Sequence, residues 1–230
     1  MDIVTPTEIK DVAWEGELIA PSVHRGTLSP AKRPIVVIGQ PEIWRAADAV
    51  KSEVGKEWTP PLGGAEFWLI RLACTLRRSG AEIAEAVQTL YLRPRQPAAD
   101  PNAAYAYSLY PDRLGVEDNT EITIGLKPEL KFTGAEAKGG ELGAKIVCHK
   151  VFPVIQSYNA GTPTPYWAFR SHLAYPLEGT QFVYAVVAAR PGSNGARASI
   201  ELVVTAQTQL GSLRFGLPEE ARAHTSFTIP

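Results

Sequence analysis

Several residue types and patterns are scarce or missing, and each absence excludes a class. The 230 residues hold two cysteines, one methionine and four histidines. Cys74 and Cys148 are far apart and each sits in an apolar, strand-like run, so both read as buried thiols rather than a disulfide framework. The histidines, at 24, 149, 172 and 224, show no metal-ligand spacing, and no C-x-x-C occurs, so no metal and no cofactor is expected. The chain has no G-x-x-x-x-G-K-[ST], H-E-x-x-H or G-x-S-x-G signature, and no catalytic residue is assigned. No apolar run approaches the roughly 18 residues of a membrane helix; 182–189 is of strand length. Residues 1–10 carry neither a basic nor an apolar leader region, and the expectation is a soluble cytoplasmic protein. Charge of either sign is balanced, 23 Lys+Arg against 24 Asp+Glu, or −1. Neither nucleic acid nor membrane is therefore an expected partner.

What is present suffices for a packed core. Hydrophobic residues make up 45% of the chain and charged residues 20%. A chain this long buries roughly 70% of its unfolded surface, enough for one sizeable core or a core with an annex. Residues 1–62 read as an N-terminal arm with a strand at 34–39 and a helix over 42–54. Pro41 suits a first helical position, Ile43, Ala46, Ala47, Val50 and Val54 follow at helical spacing, and Gly55 suits the end. The stretch 58–64 breaks this pattern as a long turn.

From Ala65 onward the period is two. Trp68, Ile70, Leu72, Cys74 and Leu76 share one parity against Arg71, Thr75 and Arg77. Ile122, Ile124 and Leu126, then Ala144, Ile146 and Cys148, repeat it, and Ile200, Leu202, Val204 and Ala206 carry it furthest. Such alternation puts one face on a core and the other in water. Residues 182–189 are apolar on both parities and predict a central strand, followed by a hairpin-type turn at 191–195. Residues 81–92 fit either a helix or a hairpin partner, since Ile83, Ala86, Val87 and Leu90 have helical spacing inside a strand-rich region. The sum is a mainly β protein: an antiparallel β-sandwich over 63–230, preceded by an N-terminal extension with one strand and one short helix.

Few residues point to chemistry. Cys148 and His149 are adjacent, but neighbours on a strand face opposite ways and cannot form a dyad. Gly139, Gly140 and Gly143 precede a strand and read as a hairpin loop. The carboxylates and Asn119 within 112–121 offer oxygen ligands for Ca²⁺ at a sandwich rim, or a solvated polar turn. Arg77 and Arg78 would meet Arg93 and Arg95 if 81–92 folds back as a hairpin, making a patch for a phosphate or an acidic loop. The most individual stretch is 155–172, where two prolines stiffen a loop and Tyr158, Asn159, Tyr166, Trp167 and His172 follow one another. Tyr and Trp bury large area at little entropic cost, which suits a binding surface; strand residues crossing the core are the structural alternative.

The function expected from these residues is non-enzymatic: a binding or assembly module recognising a protein partner or small ligand through aromatic and Pro-rich loops. An arm that orders by burying Trp14, Leu18 and Ile19, on a second subunit or on its own domain, belongs to the same reading. The alternatives are a hydrolase centred on His172, or a Ca²⁺-binding or glycan-binding sandwich.

Overall fold

The computed structural model describes residues 8–20, 33–49, 62–77, 82–96, 100, 102–114, 121–124, 144–147, 154–172, 176–208 and 211–230. Two antiparallel sheets face each other. Sheet A runs β1 (Val12–Glu17), β2 (Ile35–Gly39), β4 (Glu66–Arg77), β12 (Gly179–Ala189) and β6 (Ala104–Tyr110), with β3 (Glu42–Arg45) also paired to β4. Sheet B runs β14 (Gly211–Gly216), β13 (Ala196–Thr208), β5 (Glu82–Pro94), β11 (Tyr166–Arg170), β10 (Val154–Tyr158) and β7 (Arg113–Leu114), with β15 (Ser226–Ile229) on β13. Among the described residues, strands β8 (Glu121–Ile124) and β9 (Ala144–Val147) pair with each other. Helices are short: α1 (Ala46–Ala49) and α2 (Glu219–His224). No described helix is long and apolar enough to cross a membrane.

Side-chain parity explains the layering. Ile70, Leu72, Cys74 and Leu76 of β4 meet Ile200, Leu202 and Val204 of β13 in one core, joined by Trp167, Phe169 and Phe215. The alternation expected from Ser199 is realised within β13, and Ile70, Leu72, Cys74 and Leu76 of β4 face the core. The other parity of β4 is not left in water: Leu69, Arg71 and Ala73 are buried as well. The thiol of Cys74 is free and buried. As the apolar run 182–189 implied, β12 lies between β4 and β6. Sheet A has a second apolar cluster on its outer face: Phe67, Leu69, Tyr184, Val186 and Ala188 are buried there, with Trp44, Tyr105, Tyr107 and Phe182 around them. The rings of Phe67 and Tyr107 stand nearly perpendicular with centroids 5.4 Å apart, while Arg190 lies over Tyr105.

Four local expectations are corrected. Residues 42–45 of the expected 42–54 helix are strand β3, α1 takes Ala46–Ala49, and 50–54 lie outside the described residues. Pairing with β4 sets Glu42 opposite Arg71 and Trp44 opposite Leu69. The Arg71 guanidinium then contacts the Glu42 carboxylate and lies 5.3 Å from the Trp44 ring centroid. These cross-strand contacts outweigh the helical spacing of Ile43 and Ala46.

The 81–92 stretch is a strand but not a hairpin partner of β4: β5 pairs with β13 and β11 in the other sheet. Its pairing with β13 skips one residue, at Ala84. This bulge lets Ile83 and Ala86, three apart, both face the core, which reproduces helical spacing within a strand. Arg77 consequently ends in sheet A, paired with Glu15, and the basic patch expected with Arg93 and Arg95 does not form through it. The turn at 191–195 carries the chain from sheet A to sheet B instead of closing a hairpin.

The described part of the N-terminal arm is built into the sandwich. β1 pairs with β2, β2 pairs with β4, and Leu18 is fully buried. Ile19 exchanges two backbone hydrogen bonds of 2.9 Å with Gly216 at the edge of sheet B. Trp14 packs against the same core. The apolar residues that an assembly arm would offer to a second subunit are thus used within the chain.

Candidate functional site

The outward parity of sheet B brings separate sequence stretches into one row. Tyr158 on β10 stands opposite Tyr166 on β11, Tyr166 opposite Thr89 on β5, and Thr89 opposite Glu201 on β13. Three strand spacings make this row about 15 Å wide. All four residues are partly exposed. The two tyrosine rings stack with centroids 4.8 Å apart and planes 16° from parallel, forming a single aromatic platform.

The loop between the tyrosines is held from both sides. Gly161 N–H donates to Ala106 O (2.7 Å), and Ala106 N–H donates to Thr162 O (3.0 Å), tying the loop to β6 of sheet A. Leu90 N–H donates to Pro165 O (2.9 Å) and Leu92 N–H to Pro163 O (2.8 Å), tying it to β5 of sheet B. Within the loop, Asn159 adopts a left-handed φ of 62°, which asparagine tolerates better than most residues. Its side-chain amide donates to Thr164 O at 3.3 Å, and the Thr162 hydroxyl donates to Asn159 O at 2.8 Å. The prolines therefore act with six hydrogen bonds to fix the hairpin end.

Of the five residues expected at a site, three come together. Tyr158, Asn159 and Tyr166 share the hairpin end. Trp167 does not join them: it is fully buried among core residues, facing Gln88 across the β5–β11 pairing. The period of two turns it inward when Tyr166 turns outward. His172 is exposed beyond the far end of β11, and six residues of extended chain put it roughly 20 Å from Tyr166.

Sequence reading missed two adjoining recesses beside this row, about 410 and 470 Å³ in volume. Both include Tyr91, Arg93, Ser199 and Ser226; Glu201, Arg222 and Thr225 border the first, Arg197 and Thr228 the second. Tyr91 O–H donates to Glu201 Oε2 at 2.6 Å, and this bond, more than burial, holds the phenol above its ordinary ionisation range. The available signal was the outward parity of 199–209 extended backward to Arg197, but 81–92 had to be read as a strand for it to meet Arg93. Among the described residues, no histidine lines either recess. Among the described residues no cluster of three or more metal-ligating side chains occurs.

Cys148, His149, the glycines at 139–143, residues 58–61 and residues 115–120 of the acidic stretch lie outside the described residues. Asp112, at the start of that stretch, accepts a hydrogen bond from the Ser157 hydroxyl at 3.2 Å.

Comparison with known proteins gives no family: no protein-family model and no curated protein matches the chain. Among solved structures, one described as "Pore forming protein" resembles it with a TM-score of 0.37 and 8% identity, over 87% of this chain and 89% of that one. Another, described as "Complete structure of manganese lipoxygenase of Gaeumannomyces graminis and partial structure of zonadhesin of Komagataella pastoris", has a TM-score of 0.26 and 7% identity, over 96% of this chain and 94% of that one. Likenesses this distant assign no activity.

Proposed function

We propose that this chain is a non-enzymatic β-sandwich binding module that takes a protein partner or small ligand on the outer face of sheet B, with Tyr158, Tyr166 and loop 159–165 as the contact. The observation that carries the reading is the stacked, half-exposed tyrosine pair on a hairpin end hydrogen-bonded to both sheets. A surface already held in shape loses little conformational freedom on binding, and paired aromatic rings offer large contact area. The wide separation of His172 from this platform favours binding over the hydrolase alternative.

The test compares wild type with the Tyr158→Ser/Tyr166→Ser double variant. Partners and metabolites retained from the native host are identified, then rebound to the purified chain. The expected result is a ligand whose affinity falls at least about tenfold in the variant, the scale of losing one aromatic anchor. Equal binding by a normally folded variant would remove the platform from the proposal.

A further inference from the structure

We infer that the recess between β5, β13 and the C-terminal α2–β15 segment binds a phosphate monoester. The inference does not depend on the tyrosine platform and can fail separately from it.

Arg93 and Arg197 are direct cross-strand partners on the outward face of sheet B, and both are exposed. Like charges directly opposed across an antiparallel pair are destabilising. Arg93 borders both adjoining recesses, Arg197 the second and Arg222, on α2, the first, where Arg222 lies near enough to the Tyr91 phenol to favour its ionised form. Among the described residues, no ion pair or side-chain hydrogen bond engages any of these three guanidiniums. By contrast Arg45, Arg77, Arg170 and Arg190 each face a carboxylate. Glu201 is the one carboxylate bordering the recess, and it accepts the Tyr91 hydroxyl.

Three unpaired guanidiniums around two adjoining recesses, with Arg93 common to both, form a site of unmet positive charge. Guanidinium forks match tetrahedral oxyanions in geometry and charge. Ser199 and Thr228 add hydroxyl donors: Ser226 stands opposite Ser199, and Thr228 opposite Arg197, placing them on the same outward rows. This donor set exceeds what the two oxygens of a carboxylate accept and suits the three terminal oxygens of a phosphate monoester. Tyr91, Leu217 and Phe227 supply an apolar border for the organic part. The two adjoining recesses, near 410 and 470 Å³, each lie in the range of small-molecule pockets.

Phenyl phosphate tests the site, with inorganic phosphate as the probe lacking an organic part, each titrated calorimetrically at low salt. Vesicles of phosphatidylcholine containing phosphatidic acid test whether the same group is read on a lipid. The expected result is phenyl phosphate binding at about 1 mM or tighter, stronger than inorganic phosphate and weakened by salt. Arg93→Ala, Arg197→Ala and Arg222→Ala should each weaken it about tenfold, the scale of a charge-assisted hydrogen bond. Arg93→Ala and Arg197→Ala should keep or slightly raise the melting temperature, because each relieves the like-charge pair. Sedimentation with phosphatidic acid vesicles alone, lost in the same variants, would assign the phosphate to a lipid headgroup and uphold the site. Absence of binding to all three probes, or binding unchanged in the three variants, would overturn it.

Discussion

Tyr166 and Trp167 are neighbours in sequence with opposite fates, and the difference is measurable. Trp167 is fully buried, whereas Tyr166 is partly exposed and stacked on Tyr158. Trp167→Ala should cost about 3–5 kcal/mol in urea unfolding, the usual price of emptying a large core site. Tyr166→Ala should cost about 1 kcal/mol or less, because what it loses is mostly the stacking of two surface rings. Similar losses would contradict the assigned parity. Cys74 makes a second residue-scale prediction. Burial pushes its thiol from 9.0 up to about 12. Since the folded value is the higher one, the fold favours the protonated thiol. That contribution is complete below pH 9 and is lost as pH rises toward 12, about 4 kcal/mol in all. Wild type should therefore lose stability between pH 9 and 11 more steeply than Cys74→Ala; parallel curves would sink this account.

At the scale of elements, the readable signals were those of regular period. Residues 182–189 announced β12 by an unbroken apolar run, and the stretch from Ser199 announced β13 by uninterrupted alternation. β5 was ambiguous because its bulge at Ala84 shifts the period midway, and β3 was masked because Ile43 and Ala46 happen to lie three apart. Turn residues marked where the chain bends but not which sheet it enters next, as 191–195 illustrates. There Gly195 has φ 84°, and a Cβ at this position would overlap the backbone of Ile229 and Pro230. Gly195→Ala should thus cost about 2 kcal/mol or more, through left-handed strain and displacement of β15. Hydrogen exchange should locate the weakening in β15 and the facing half of β13. A variant as stable as wild type would refute the close packing of this turn against the C-terminus.

Across the whole molecule, one core joins both sheets, and residues from Leu18 to Ile229 contribute to it. Leu18 lies just past β1 of sheet A, and the next residue bridges to Gly216 of sheet B. Leu18→Ala should therefore weaken the entire sandwich by about 3 kcal/mol, lowering the melting temperature roughly 10 °C for a chain of this size. Circular dichroism and tryptophan fluorescence should report the same midpoint in wild type and variant; a separate early transition in either probe would mean that the N-terminal strands melt alone. Local pattern alone carried the β class and the inward faces of β4 and β13, because side-chain parity is a local property of the chain, whereas 155–172 read as a stiffened aromatic loop and not as a hairpin. Only the tertiary structure decided that β4 and β5 part into opposite sheets, that the N-terminal strands close the sandwich, and that Arg93 meets Arg197 and Arg222 beside Tyr91. Those outcomes depend on pairings between residues more than a hundred positions apart, chosen by which faces bury most area together, and no local pattern encodes that choice.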